Sequence, residues 1–413
     1  MKGFTKFFII IISIIIGVVG GGGYALYNSL PETEELVVSE DAFYSYNDHE
    51  LKKVELSGAS GELSVHFLEL GNKYTGDCTY IKVGDVDVLI DCGSRTSSVS
   101  TVSEYLNQYI SGVLDYVIVT HAHQDHYAGF ATGAKTNGIF DLYEVGTIID
   151  FGNATGNSGA AMFDRYVAKR QAEIDAGAKH YSAYDCFNEI GEAKKEFVLD
   201  ETYNIKLEIL YNYYHQYDYN NHEETKTYKA STENDYSVSC LLKTKNKNFL
   251  FTGDLEKDGE EKMVDYYKNV SPSPLPEVDV YKAGHHGSGT SSSEGLLEMI
   301  KPKVVCICCC AGSPEYTSNI DNQFPTQAFI TRISEYTDKV FVTTVCVDWK
   351  NDEYQSMNGD IVIIALPNET DLGINCSNNE TILKDIEWFN KIITDENGQQ
   401  RPNRIWEYEV DFG

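Results

Sequence analysis

The sequence predicts an α/β layered protein, on two observations. Its 413 residues are 42% hydrophobic and 23% charged, which is typical of a folded globular chain and excludes a disordered or collagen-like one. Short apolar segments alternate with helical segments between residues 62 and 365, without an internal repeat of fixed period. A chain of this length can bury a full core without disulfide or metal staples.

The predicted elements follow the apolar segments in chain order. Strands are expected at residues 64–70, 79–83, 86–90, 116–120, 205–211, 237–243, 249–252, 278–282, 304–309, 340–344 and 361–365. Helices are expected at residues 99–110 and 160–176. The chain therefore divides into an N-terminal segment (1–27), a polar linker (28–61), an α/β domain (62–365) and a C-terminal extension (366–413).

The C-terminal extension differs in character from the rest of the chain. Its pattern predicts a helix at 380–392, a polar turn at 396–398 and an aromatic strand at 405–408. Trp388, Trp406 and Tyr408 could form a small binding surface. Because large aromatic side chains are usually buried, we expect them instead to dock onto the main domain.

The charge balance narrows the class of partner. The chain has 33 basic and 63 acidic side chains, a formal net charge of −30. Strong binding to duplex nucleic acid is not expected, because that binding depends on Lys and Arg neutralising phosphates. Docking on an anionic membrane surface is disfavoured for the same reason. A small or polymeric ester substrate at a metal site stays possible, because there the metal is the largest local charge.

The N-terminus reads as a targeting segment. Lys2 and Lys6 precede an apolar run at residues 7–19, the arrangement of a signal peptide. If the segment is not cleaved, residues 7–27 are long enough to cross a bilayer and would anchor the protein. We therefore expect an extracytoplasmic protein, secreted or anchored, that meets the membrane only through this segment.

The ten cysteines are expected to be packing residues. Export would permit disulfides. However, Cys306 to Cys310 continue an apolar run and predict a buried strand in which cysteine acts as a small hydrophobe. No CxxC pair indicates a structural zinc ribbon.

The strongest chemical signal is an HxHxDH motif directly after the predicted strand 116–120. His121 and His123 are two residues apart, so on extended backbone their imidazoles lie on one side and can share an ion. The chain must then turn, which brings Asp125 and His126 to a second ion close by. Nitrogen and oxygen ligands together suit zinc, with manganese or iron possible.

Three further strand ends carry possible ligands. His285 and His286 follow the strand 278–282, and on extended backbone they would face opposite sides, so they are not expected to bind the same ion. Asp254 ends the strand 249–252, where its two oxygens could bridge two ions. Asp91 ends the strand 86–90, where it would orient a ligand histidine by accepting its other N–H.

These motifs resemble the metallo-β-lactamase superfamily. The segments Asn234-Asp235-Tyr236-Ser237, Thr252-Gly253-Asp254 and Gly284-His285-His286-Gly287-Ser288 look more narrowly like the extracytoplasmic hydrolase domain of ComEC-type competence proteins and related exported phosphoesterases. The resemblance covers roughly residues 62–365. It implies a four-layer αβ/βα sandwich with a two-metal site, the ions most readily being zinc.

The resemblance also implies a role for each site residue. His121 and His123 would bind the first ion, whereas Asp125, His126 and His286 would bind the second. Asp254 would bridge the two ions, and His285 would contact the substrate or its leaving group, which makes Asp125 and His285 the catalytic candidates. A further first-ion ligand would come from His222 or His215.

Two departures from the family pattern stand out. Residues 72–75 intervene before Gly76-Asp77, where relatives have no such insertion. Gln323-Phe324-Pro325 stands where a relative would often carry His-Pro, which leaves a substrate contact from that loop unsupported.

The expected activity is hydrolysis of a phosphodiester or similar ester outside the membrane. Two cations about 3.5–4 Å apart hold a bridging water and lower its pKa toward 7, which makes hydroxide available. Two alternatives stay open. One is hydrolysis of amides or lactones on the same scaffold, because fold does not decide substrate. The other is a non-catalytic surface binding protein that keeps its metals structurally.

Overall fold

The computed structural model describes residue 56 and residues 60–110, 112–131, 133, 136–152, 160–216, 230–367, 369–395 and 397–408. The predicted targeting segment and most of the linker lie outside the described residues, as does His222. Among the residues that are described, no helix has the length and apolarity needed to cross a membrane. All of them belong to one compact unit, Asp41–Gly413.

Sixteen of the strands form two large mixed sheets. The first sheet contains β1 (Leu63–Phe67), β2 (Thr79–Val83), β3 (Val86–Ile90), β4 (Val113–Val119), β5 (Glu144–Asp150), β6 (Lys179–Ser182), β15 (Ile361–Ala365) and β16 (Leu372–Cys376). Its order is β16-β15-β1-β2-β3-β4-β5-β6. β3 to β6 run parallel, whereas the pairs from β16 to β3 are antiparallel.

The second sheet contains β7 (Glu196–Asp200), β8 (Ile205–Ile209), β9 (Cys240–Lys243), β10 (Asn248–Phe251), β11 (Val280–Lys282), β12 (Val304–Ala311), β13 (Val340–Asp348) and β14 (Glu353–Ser356). Its order is β14-β13-β12-β11-β10-β9-β8-β7. β10 to β13 run parallel in its centre. Parallel strands buried on both faces have nearly continuous apolar sequences, so these strands are easy to recognise from the sequence.

The helices cover the outer faces of both sheets. They are α1 (Ser98–Leu106), α2 (Gln124–Tyr127), α3 (Ile139–Leu142), α4 (Ala161–Ala176), α5 (Ala183–Asn188), α6 (Lys257–Asn269), α7 (Glu294–Ile300), α8 (Gln327–Ile333) and α9 (Glu387–Asn390). The predicted helices at 99–110 and 160–176 correspond to α1 and α4. The predicted α/β class and its four-layer αβ/βα sandwich are confirmed.

The strand β12 shows how the layers share one element. All of its side chains are buried, and none of the ten cysteines is in a disulfide. Cys306 and Cys308 pack in the core between the sheets, whereas Ile307 and Cys309 pack in the core under the outer helices. This alternation confirms that the cysteine run is a buried strand of small hydrophobes.

The C-terminal extension corrects two predictions. The predicted helix at 380–392 shrinks to α9, and the next residues form a hairpin of β17 (Ile392–Thr394) and β18 (Gln400–Pro402) around the predicted turn. Residues 405–408 form no strand. Tertiary contacts override local propensity here, because the buried Arg404 donates to the carbonyl oxygens of Ile320, Gln323 and Pro325.

Other parts of the extension pack on the main domain. β16 adds a strand to the first sheet beside β15, so that sheet continues beyond residue 365. Phe389 is buried, and Trp388 and Trp406 pack partly buried against the outer core of the second sheet. Tyr408, by contrast, is exposed. The predicted docking therefore holds for the two tryptophans and is wrong for Tyr408.

Candidate metal centre

The chemistry-bearing residues follow strands that end at the same edge of each sheet. Asp91 lies directly after β3 and His121 two residues after β4, and these strands are parallel. Asp254 follows β10, and His285 and His286 follow the parallel neighbour β11. Because the carboxyl ends of parallel strands meet at one edge, these side chains converge between the two sheets.

Four histidines converge on the carboxylate of Asp254. Its Oδ2 lies 3.1 Å from Nε2 of His126, 3.4 Å from Nε2 of His286, 3.8 Å from Nε2 of His285 and 3.9 Å from Nε2 of His121. Asp254, His121, His126 and His286 are fully buried, whereas 20% of the His285 side chain is exposed. Residues from both sheets therefore share one polar centre.

His123 and Asp125 complete the HxHxDH cluster. Nδ1 of His123 lies 3.0 Å from Nε2 of His121, as expected for two imidazoles that could share an ion. The chain turns into α2 directly after His123. Oδ2 of Asp125 lies 3.7 Å from Nε2 of His286 and accepts the Tyr316 hydroxyl at 2.9 Å. Among the described residues, the structure thus brings together six predicted ligands and leaves His215 outside the cluster: His121, His123, Asp125, His126, Asp254 and His286.

Backbone hydrogen bonds tie the loops of the first sheet to one another. Asp77 N donates to the carbonyl oxygen of Asp125 at 3.1 Å, Gly93 N to that of Asp77 at 2.8 Å, and Cys92 N to that of His126 at 2.7 Å. Gly93 permits this packing, because a Cβ there would lie 1.5 Å from the Asp125 carbonyl oxygen. These hydrogen bonds therefore hold the loops that carry the carboxylates of Asp77, Asp91 and Asp125 close together at the site.

Asp91 lies behind His126, where the sequence predicted it. Its Oδ2 is 2.7 Å from Nδ1 of His126, and it also accepts the Thr120 N–H and hydroxyl at 2.7 Å each. Nδ1 of His126 therefore donates to Asp91, and Nε2 faces Asp254. That Asp91 tunes a metal ligand stays a prediction.

The backbone at His285 and His286 is not extended, contrary to the sequence-based prediction that placed the two rings on opposite sides. Residues Gly284–Gly287 form a 3₁₀ turn in which φ is 47° at His285 and 55° at His286. This left-handed backbone costs about 1–3 kcal/mol per residue, and the cost is offset where surrounding contacts hold it. Nδ1 of His286 donates to the Cys308 carbonyl oxygen at 2.8 Å. Both rings consequently face Asp254 rather than opposite sides.

The buried atoms without hydrogen-bond partners test whether the residues fit a metal. In the part of the chain that is described, they include Asp77 Oδ1, His126 Nε2, Asp254 Oδ1 and His286 Nε2. One ligand atom from each of these four residues lies within 4.8 Å of the others. A buried unsatisfied polar atom is costly, and a cation satisfies all four at once. Two imidazoles and two carboxylates fit a divalent ion such as zinc.

The electrostatics of the cluster follow from its four carboxylates. Burial alone would lower the pKa of His126, but Asp254 and Asp91 outweigh it and raise that pKa well above its ordinary value. Burial alone would raise the pKa of Asp254, but the nearby His126 and His286 outweigh it. The pKa of Asp254 is therefore held well below its ordinary value. Burial and the nearby His126 lower the pKa of His121. His121 therefore already has the neutral form that binds a metal, whereas His126 would release a proton when an ion binds.

Three residues of the site were not among those predicted from the sequence. Asp77 and Lys282 form a buried ion pair beside His286, and Tyr316 contacts Asp125. The 72–75 insertion made Asp77 look displaced, yet Thr75 N donates to Glu315 and the loop still delivers Asp77. The sequence did contain a signal for Lys282, because a charged side chain at the end of an otherwise apolar strand, β11, is unusual. Nothing in the sequence distinguishes Tyr316.

A histidine that completes the first-ion ligands is not found among the described residues. His215 is buried and directs Nε2 to the Tyr236 carbonyl oxygen at 2.7 Å. His66 contacts Ser64 and Tyr105, and His180 contacts Asp150. Ser237 instead lies beside the first pair, with Oγ 3.3 Å from Nδ1 of His121.

Late in the chain, aromatic side chains form one wall of the site. The Phe324 ring lies 5.5 Å from that of His285 and 5.8 Å from that of His286, between centroids. The Tyr316 ring lies 5.7 Å from that of Phe324 and is 57% exposed. The loop that lacks the expected His-Pro therefore does reach the site, with an apolar residue.

Comparisons with known proteins agree with this geometry. Residues 71–185 match the family model of the Metallo-beta-lactamase superfamily. The chain is 32% identical over 77 residues to ComE operon protein 3 of Bacillus subtilis, covering 19% of this chain and 9% of that protein. It is 30% identical over 113 residues to Recombination protein 2 of Haemophilus influenzae, covering 27% of this chain and 12% of that protein. The chain thus spans only a small part of the length of either relative.

Solved structures give the same kind of similarity at low identity. The metallo-beta-lactamase fold protein YhfI from Bacillus subtilis matches with a TM-score of 0.37 and 10% identity, over 72% of this chain and 100% of that one. Human tRNase Z, short form, matches with a TM-score of 0.29 and 14% identity, over 59% of this chain and 92% of that one.

Proposed function

We propose that this chain, whose residues 71–185 match the metallo-β-lactamase superfamily, is a metal-dependent hydrolase that cleaves phosphodiester or related phosphoric ester bonds. One observation carries the proposal: imidazoles and carboxylates from both sheets meet around Asp254, and four of these residues have a buried ligand atom without a hydrogen-bond partner. Divalent ions held there would activate a water molecule and offset the charge that develops on the ester oxygens.

The protein's own residues have separate tasks in this proposal. His121 and His123 would hold one ion, Asp125, His126 and His286 the other, and Asp254 both. His285 is one of two partly exposed histidines of the site, His123 being the other, and it has Nδ1 3.3 Å from Glu256 Oε1 and Nε2 directed toward the centre. It is therefore placed to hold a proton for the leaving group at the mouth of the site.

Local charge supports an anionic substrate. The four carboxylates of the site, the Lys282 ammonium and two divalent ions leave about one positive charge. A protein with a net charge of −30 would repel an anionic ester from most of its surface. The centre would then be the place where such an ester is attracted. We do not expect this surface to bind duplex nucleic acid strongly.

The proposal includes a location outside the cytoplasm. It rests on the signal-like segment 1–27 alone. Cell fractionation of the full chain and of a variant without residues 1–27 tests it. A cytoplasmic full-length protein would contradict the location without bearing on the chemistry.

A substrate panel tests the activity. We expect the metal-loaded full chain to hydrolyse bis-p-nitrophenyl phosphate, and to lose that activity with EDTA and in His121→Ala. A β-lactam and a lactone belong in the same panel, since turnover of these alone would favour the amide or lactone reading. Bound metal with no turnover of any substrate would favour a binding protein instead.

A further inference from the structure

The ion pair of Asp77 and Lys282 joins the two sheets inside the metal centre. Asp77 lies just before β2 in the first sheet, and Lys282 is the last residue of β11 in the second. Both residues are about 3% exposed. Removing two charges from water costs several kcal/mol per ion, so such a pair is weak as a source of stability. Its position beside the ligands indicates a different role.

The two oxygens of Asp77 have different surroundings. Oδ2 accepts a hydrogen bond from the Lys282 ammonium. Oδ1 is buried without a hydrogen-bond partner, although Nδ1 of His286 is only 3.2 Å away. The Nδ1 proton of His286 is given to the Cys308 carbonyl oxygen instead. Asp77 therefore keeps one open oxygen among the unpaired atoms of the cluster.

Lys282 is shared between two acidic residues. Its Nζ also lies 4.0 Å from Oδ1 of Asp254, which is the second carboxylate oxygen without a partner. The Lys282 ammonium therefore lies between the carboxylates of Asp77 and Asp254. The site thus contains a lysine cation, the ordinary form of this side chain at neutral pH, next to the place where a divalent ion fits.

We propose that Asp77 is a ligand of the ion held by His126, Asp254 and His286, and that Lys282 is a built-in counter-charge that weakens this ion's binding. Asp77 gives one oxygen to the ammonium and the other to the ion. The inference deepens the proposed function and rests on it for the nature of the bound cation. Neither residue was among the ligands predicted from the sequence.

The two residues should have opposite effects on metal affinity. Asp77→Asn removes a negative ligand, so the Zn²⁺ affinity of the chelator-treated full chain should fall at least tenfold. Lys282→Met removes a positive charge close to the ion and leaves both Asp77 oxygens open, so the affinity should rise several-fold. Competition with a chromogenic chelator gives the affinity, and elemental analysis gives the number of ions bound.

A matched pair elsewhere provides the control. Asp87 and Lys82 form another shielded pair, with both oxygens of Asp87 within 3.0 Å of Lys82 Nζ. Asp87 lies at the start of β3, at the opposite end of that strand from Asp91, and Lys82 lies beside it near the end of β2. Asp87→Asn and Lys82→Met should leave Zn²⁺ affinity unchanged. Thermal unfolding of every variant shows whether it is folded.

The double variant Asp77→Asn/Lys282→Met keeps the test valid if Lys282→Met alone does not fold. Its buried pair is neutral, and it should bind Zn²⁺ more tightly than Asp77→Asn alone. Unchanged affinity in Asp77→Asn, or a double variant no tighter than Asp77→Asn, overturns the inference. Ester turnover is assayed separately: turnover without these shifts refutes only the role of Asp77 and Lys282, whereas the shifts without turnover refute only the esterase.

Discussion

Nε2 of His126 and Oδ2 of Asp254 lie 3.1 Å apart, although the two residues follow strands of different sheets. Behind His126, Asp91 holds the other ring nitrogen, and Ser237 Oγ accepts the backbone N–H of Asp254 at 3.0 Å. Both partners are thus held from behind by their own sheet. The site exists only when the two sheets are packed together.

Asp254→Asn tests the central carboxylate. We expect loss of bound metal and a fall in kcat/KM of at least a hundredfold, because the four histidines lose the charge on which they converge. Elemental analysis and initial rates measure the two effects. Asp279→Asn is the control, since Asp279 is equally buried but pairs with Lys247 and Lys303. Full metal content in Asp254→Asn would show that Asp254 is not a ligand.

His285 and His286 are adjacent but should differ in effect. His286→Ala should lose metal, because its Nε2 is buried and unpaired beside Asp254. His285→Ala should retain metal and lose turnover by about 10²–10⁴-fold, the usual contribution of a proton donor. The measurements are metal content and kcat on the same preparations. Equal metal loss in both variants would make His285 a ligand instead of a proton donor.

Asp91→Asn tests the residue that orients His126. Asparagine preserves the shape but presents an N–H₂ or a weaker acceptor to Nδ1 of His126. We expect metal affinity to fall by about 10–100-fold while the protein stays folded, as for other residues that hold a metal-binding histidine from behind. Chelator competition measures the affinity. An unchanged value would mean that Thr120 alone, which contacts both Asp91 and His126, orients the ring.

Glu260 predicts a pH dependence of stability that is independent of catalysis. It is fully buried and accepts the N–H groups of Ser292 and Ser293 at 2.7 and 2.6 Å. Burial raises its pKa from 4.5 to about 7. The folded protein therefore binds more protons than the unfolded chain between these values, so stability falls as pH rises through them.

Glu260→Gln should remove that part of the slope. Between about pH 4 and pH 8, the unfolding free energy of the wild type should fall by about 3 kcal/mol more than that of the variant. Urea unfolding in metal-free buffer at several pH values measures this, since bound metal would add its own pH dependence. Parallel slopes in the two proteins would rule out Glu260 as the source.

The fold was predictable where burial makes a strand apolar over its whole length. The predicted ranges 79–83, 86–90 and 361–365 coincide with β2, β3 and β15. Five strands of the two large sheets were not predicted: β5, β6, β7, β14 and β16. All but β5 are edge strands, and β7 and β14 carry exposed polar residues. In the extension, the buried Arg404 replaced the expected strand with an irregular segment.

The candidate site was predictable as far as its ligands are local in sequence. The HxHxDH motif and the pair His285-His286 can be recognised from the spacing of their residues alone. The pairing of Asp77 with Lys282 spans 205 positions and has no local signature. The left-handed turn that directs both His285 and His286 to Asp254 was also missed, because the contact that holds it comes from the neighbouring strand β12.

The amino-acid sequence by itself determined the α/β class, the buried central strands and the strand ends that carry histidine and aspartate, because hydrophobic periodicity and short motifs are local properties of a chain. Only the tertiary structure decided which of those groups face one another, which carboxylate backs which imidazole, and that a lysine shares their cavity. Those relationships arise when two sheets close on each other and exclude water, and burial then sets the charge and the hydrogen bonding of every group between them.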